Sequence, residues 1–62
     1  MENRIAEYRK KKGWSQERLA LALGVSRQHL SLWETGQYSP RLEVAFEIAR
    51  LLDCTVDDLF SL

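Results

Sequence analysis

The side chains in this sequence able to carry out chemistry are few and scattered. Cys54 is the only cysteine and His29 the only histidine. A thiolate nucleophile needs a neighbouring base, and a zinc site needs three or four nitrogen, sulfur or carboxylate ligands; neither residue has such company. Ser15 and Ser26 stand just ahead of helical patterns, where a hydroxyl caps a helix and does not attack a substrate. Asp57 and Asp58 fall in a first helical turn, where carboxylates complement the helix dipole; they do not form an acid–base dyad. There is no glycine-rich phosphate loop and no paired histidine. Neither an enzyme nor a bound metal or cofactor is expected. What remains is positive charge. Lys10-Lys11-Lys12 ends the first helical pattern, where it either offsets the negative end of the dipole or meets phosphates. Trp14 and Trp33 read as packing residues, because a stacking platform for single strands needs a groove and several exposed rings.

The nine basic and nine acidic residues cancel overall, yet they are unevenly spread. Residues 1–33 carry seven basic and three acidic side chains, a net of +4; residues 34–62 carry two basic and six acidic, a net of −4. A polyanion is steered to the first half and repelled by the second. A chain of 62 residues has room for one core, so residues 1–62 are expected to form a single domain with no small-molecule effector domain. A domain this small buries only about 60% of the surface of its unfolded chain, which favours pairing with a second copy. One cysteine excludes an internal disulfide and fits a reducing cytoplasm. Glu2-Asn3-Arg4 follows Met1 with no apolar run of the kind a signal peptide or membrane span requires, so no membrane partner is expected.

Five helical patterns position these groups. Residues 3–12 place Ile5 and Tyr8 on one face and end at Gly13. Ser15 caps residues 16–23, whose Leu19, Ala20 and Leu23 point inward. Gly24 stops that helix, and Val25 is expected to plug the corner. Ser26 caps residues 27–35, with Leu30 and Trp33 on one face. Gly36 to Pro40 is a loop, with Pro40 expected in the first turn of the next helix. Residues 41–53 bring Leu42, Ala45, Ile48, Ala49 and Leu52 to one face, the expected central stripe of the core. Thr55-Val56-Asp57-Asp58 has the form of a capping box, opening a short helix with Val56, Leu59 and Phe60 turned to the core. No strand pattern is present, so the fold class is all-α.

Residues 16–23 and 27–35, two short helices around a glycine corner, have the form of the unit that lays its second helix in the DNA major groove. Helix pairs of this shape also occur in bundles that never touch DNA, so spacing alone leaves both readings open. The residues themselves go further. Ser15-Gln16-Glu17, Leu19-Ala20, Leu23-Gly24-Val25-Ser26-Arg27-Gln28, Ser31, Trp33-Glu34 and Gly36, at these intervals, resemble the Cro and phage-repressor type of helix-turn-helix. The likeness runs from Asn3 through Pro40-Arg41-Leu42-Glu43 to Thr55-Val56-Asp57-Asp58-Leu59-Phe60, and small cytolysin-repressor-like proteins look the most similar. It implies a five-helix, lambda-repressor-like DNA-binding domain with its helix-turn-helix at 16–35.

The resemblance also implies roles. Arg27 and Gln28 match the opening of the recognition helix, where arginine forks onto guanine and glutamine onto adenine. Ser31 and Leu32 follow one turn on; Leu32 departs from relatives that carry a polar base reader there, and suits a thymine methyl. Gln16 matches a phosphate contact at a helix N-terminus, and Ser26, Lys12, Thr35, Gln37, Tyr38 and Ser39 are further phosphate candidates. Arg9 and Glu34 match a structural salt bridge, while Arg41 stands where family members often have serine. The expected partner is double-stranded DNA, bound in a prokaryotic cytoplasm by a homodimeric repressor on a near-palindromic operator. Phe46, Leu51, Phe60 and Leu62, which add apolar area in the acidic half, are the expected dimer surface. Two other functions fit the same pattern: an antitoxin or adaptor that binds protein, and a controller-type activator using Glu43, Glu47 or the Asp57-Asp58 pair.

Overall fold

The computed structural model describes residues 2–60, which form α1 (Ile5–Lys11), α2 (Gln16–Leu23), α3 (Arg27–Glu34), α4 (Leu42–Leu51) and α5 (Val56–Phe60), with no strand among them. The all-α, five-helix expectation holds. No helix of the described residues is long and apolar enough to cross a membrane.

Local sequence accounts for where the helices start. The Ser15 hydroxyl accepts the Arg18 N–H at 3.0 Å, and the Ser26 hydroxyl accepts the His29 N–H at 3.0 Å, so α2 and α3 each satisfy one orphan donor. At α5 the box is reciprocal: Thr55 Oγ1 accepts from the Asp58 N–H and Asp58 Oδ2 accepts from the Thr55 N–H, both at 3.0 Å. The Thr55 amide holds the Asp58 carboxyl below its ordinary pKa, so the cap is complete at neutral pH and opens only as acid reaches that lowered value. α1 begins two residues later than its pattern suggests. Asn3 stays outside, accepting the Ile5 N–H at 3.0 Å and donating to the Trp33 carbonyl at 2.8 Å, which ties the start of α1 to the end of α3. Pro40 also lies outside its helix. Arg41 is the extended N-cap residue of α4, without a side-chain cap, and Pro40 precedes it.

The first four helices stop in the same way. A residue at positive φ returns its N–H to the carbonyl three back, and the next N–H reaches the carbonyl five back, satisfying two end carbonyls. Gly13, Gly24 and Gly36 take this position after α1, α2 and α3. After α4 it is Asp53, at φ 56°, with Asp53 N–H to Arg50 at 3.3 Å and Cys54 N–H to Ala49 at 2.9 Å. Left-handed backbone costs a residue with a Cβ about 1 kcal/mol, less for aspartate than most. Asp53→Gly removes that cost and gives up only an exposed ion pair to Lys12, which contributes about 0 to 1 kcal/mol. The variant is expected to be about 0.5 kcal/mol more stable, raising the thermal midpoint by roughly 2 to 4 °C. A lowered midpoint in a circular-dichroism melt would mean the Lys12 pair outweighs the backbone strain.

The core draws one fully buried large side chain from every helix: Ile5, Leu19, Leu30, Ile48 and Leu59. Ala20, Trp33, Ala49 and Leu52 close around them, with Tyr8, Trp14, Leu23, Val25 and Val44 at the margin. Leu42 is the exception to the predicted stripe: it is 67% exposed. It is the first residue of α4, and helical side chains lean toward the N-terminus, so it overhangs the end of the bundle instead of packing inside.

Candidate nucleic-acid interface

α2 packs chiefly on α3, and the corner between them needs Gly24, whose φ of 73° reverses the chain in a single residue. Leu30 and Trp33 are the buried residues of α3. Helical geometry therefore turns Gln28, Leu32 and Thr35 away from the core, with Ser31 beside them. Arg27, Gln28 and Thr35 are exposed; Ser31 and Leu32 are half-buried. Arg27 and Gln28 make no side-chain hydrogen bond or ion pair with any described residue. The forked guanidinium and the carboxamide thus stand side by side with their full bonding capacity open. His29 is exposed as well, and its ring tilts against Trp33 at 4.8 Å between centroids.

Several other side chains are already partnered. The Thr35 hydroxyl donates to the Ser31 carbonyl at 2.9 Å, and Gln37 Nε2 donates to Thr35 Oγ1 at 3.1 Å. Ser26 accepts within its cap and keeps its hydroxyl hydrogen to offer. Lys12 pairs with Asp53 and lies near the Trp14 ring, 5.7 Å from its centroid, so a phosphate must compete with a carboxylate for it. Tyr38 and Ser39 are exposed on the loop. Gln16, the first residue of α2, is half-buried and donates from Nε2 to Glu34 Oε1 at 3.1 Å.

Behind this surface lies a buried ion pair. Arg9 Nε donates to Glu34 Oε2 at 2.8 Å, Nη2 donates to Oε1 at 3.3 Å, and Nη1 reaches the Trp14 carbonyl at 2.8 Å. The two side chains are 10% and 6% exposed. This bidentate pair joins α1 to the end of α3, and through Trp14 to the turn before α2. Asn3 braces the same end of α3 from another side. That contact, across thirty positions, leaves no mark in local sequence pattern.

The acidic half presents a different surface. Phe46 is 58% exposed, and Leu42 and Phe60 line an apolar groove of about 270 Å³ with Pro40, Ala45 and Val56. Leu51 and Phe60 pack partly on the core, and Leu62 lies outside the described residues. No cluster of His, Cys, Asp and Glu among the described residues is arranged to hold a metal ion. Cys54 is half-buried, and burial, with the Asp58 and Asp53 carboxylates near it, pushes its thiol pKa up, away from nucleophilic character.

Comparison with known proteins agrees with this geometry. The helix-turn-helix family model matches residues 5–59. An HTH-type transcriptional regulator of Archaeoglobus fulgidus is 43% identical over 97% of this chain and 86% of its own length. Another, of Methanothermobacter thermautotrophicus, is 44% identical over 100% of this chain and 91% of its own. Among solved structures, SinR, the master regulator for biofilm formation, in complex with DNA, superposes with a TM-score of 0.76 at 35% identity, covering 86% of each chain. The exposed α3 opening, the Gly24 corner and these likenesses lead to one conclusion: the chain belongs to the Cro/C1-type helix-turn-helix family of DNA-binding transcriptional regulators.

Proposed function

We propose that this protein represses transcription in a prokaryotic cytoplasm as a homodimer that lays one α3 in each of two major grooves of a near-palindromic operator. The half-sites lie about 34 to 36 Å apart, one helical turn of DNA. The observation that carries the reading is the exposed, unpartnered Arg27-Gln28 pair at the opening of α3. Arg27 forks onto guanine, Gln28 onto adenine, Ser31 bonds a base edge, and Leu32 packs on a thymine methyl. Gln16, Ser26, Thr35, Gln37, Tyr38, Ser39 and Lys12 meet the backbone on either side and set the register. The second copy covers Phe46, Leu51 and the apolar groove that Phe60 lines, on the acidic half of the chain. Repression follows when the occupied operator overlaps a promoter.

Selection of a randomised duplex library by the purified protein, followed by sequencing, tests this directly. Enrichment of an inverted repeat is the expected result; a single unpaired half-site removes the dimer, and no enrichment removes sequence-specific recognition. On the enriched duplex, Arg27→Ala is expected to cost about 1 to 3 kcal/mol and to relax preference at one base pair. Gln16→Ala should instead weaken cognate and scrambled duplexes alike. Equal losses on both duplexes for Arg27→Ala would remove Arg27 from the readers.

A further inference from the structure

The half-buried carboxamide of Gln16 ends on the same carboxylate that neutralises Arg9. A carboxylate only accepts hydrogen bonds, so the side of the Gln16 amide facing Glu34 must be nitrogen. One of its two N–H groups is thereby used, and the other, with Oε1, is left for a partner beyond the protein. Glu34 cannot drift, because Arg9 grips both its oxygens, at 2.8 and 3.3 Å. Gln16 also opens α2, where the Ser15 cap serves only the Arg18 N–H. The backbone N–H groups of Gln16 and Glu17 point the same way, at the positive end of the helix.

We propose that Glu34 is a positioning residue for DNA binding: clamped by Arg9, it holds the Gln16 side chain in the rotamer that presents its second amide N–H to a backbone phosphate. This rests on the reading of Gln16 as a phosphate contact. A free glutamine side chain must be immobilised when it binds; one held in advance has already lost that freedom, which is worth roughly 2- to 10-fold in affinity. The buried pair thus acts beyond the fold, coupling the α1–α3 brace to the DNA-facing end of α2.

The test is a mutant cycle on the full chain: wild type, Gln16→Ala, the double variant Arg9→Met with Glu34→Met, and all three substitutions together. The double variant keeps net charge and replaces a buried pair by apolar side chains of similar size, an exchange that small proteins often tolerate. Affinity is read by fluorescence anisotropy on a short duplex of randomised sequence at low salt, since a phosphate contact is independent of sequence. Gln16→Ala is expected to weaken binding several-fold in the wild type and less than 2-fold in the double variant. Equal losses in both backgrounds, or no loss in the wild type, overturn the proposal. Side-chain nitrogen relaxation supplies a readout that needs no DNA. The Gln16 amide should be ordered in the free wild type and averaged in the double variant; a mobile amide in the wild type overturns the proposal even if the double variant fails to fold. A wild type that binds no duplex overturns the DNA reading beneath it instead, and the relaxation result stands apart from that failure.

Discussion

Glu34→Leu is expected to lower the stability of the domain by about 3 to 5 kcal/mol, enough to leave much of the protein unfolded at ambient temperature. The cause is the guanidinium left behind more than the carboxylate removed. Arg9 is buried between α1 and α3, and once Glu34 is gone only the Trp14 carbonyl remains as its partner. A buried charge stripped of its counterion costs more than the intact pair contributes, because desolvation is no longer offset. With Glu34 only 6% exposed, solvent does not screen the loss. A domain of this length has roughly 3 to 9 kcal/mol in all. The thermal midpoint should fall by at least about 12 °C. Arg9→Met combined with Glu34→Met should melt close to the wild type in the same circular-dichroism experiment. If single and double variants fall equally, the packing of the two side chains matters and the charge pair does not.

What sequence reveals of this molecule is what local rules govern. Ser15 and Ser26 announce the starts of α2 and α3 because a hydroxyl cap acts within one turn, and Gly24 announces the corner because few other residues adopt its backbone cheaply. Asp53 closes α4 with the same hydrogen bonds as the three glycines, but aspartate is common in many settings and does not advertise a left-handed residue. Leu42 fits the five-residue stripe of α4 on paper; whether a stripe residue is buried depends on how far the neighbouring helices extend, which periodicity does not encode. Asn3 and Gln16 are harder still. Their partners, Trp33 and Glu34, are neighbours only once α1, α2 and α3 have packed. The Arg9–Glu34 pairing is suggested by likeness to relatives, since nothing in spacing alone links those two positions. The exposed face of α3 is legible because it is the complement of Leu30 and Trp33. Leu21, 83% exposed on α2, falls outside the Leu19-Ala20-Leu23 stripe for the same reason.

Leu30→Ala should have an effect of similar size, expressed in folding and DNA binding together. Leu30 is fully buried, and with Trp33 it is all that α3 commits to the core. Truncation leaves a cavity whose cost is about 2 to 5 kcal/mol, the larger values applying where neighbours cannot collapse. Here Ile5, Leu19, Ile48 and Leu59 belong to four other helices, so filling the space requires several elements to shift together and relaxation is limited. The free variant should therefore be largely unfolded or have lost fixed side-chain packing. Ligand that binds only the folded state shifts this balance: duplex at about 100 times its dissociation constant restores about 2.7 kcal/mol. Helical circular dichroism should recover on adding the selected duplex, and the apparent affinity should fall by the fraction of molecules folded beforehand. Scrambled duplex should recover less at the same concentration, because the sequence-reading contacts are missing. Full structure in the free variant, together with wild-type affinity for the duplex, would show that Trp33, Asn3 and the Arg9–Glu34 pair suffice to seat the recognition helix. Failure to recover at saturating cognate duplex would mean that DNA does not hold α3 in its folded position, and would remove the physical basis for placing that helix in the groove.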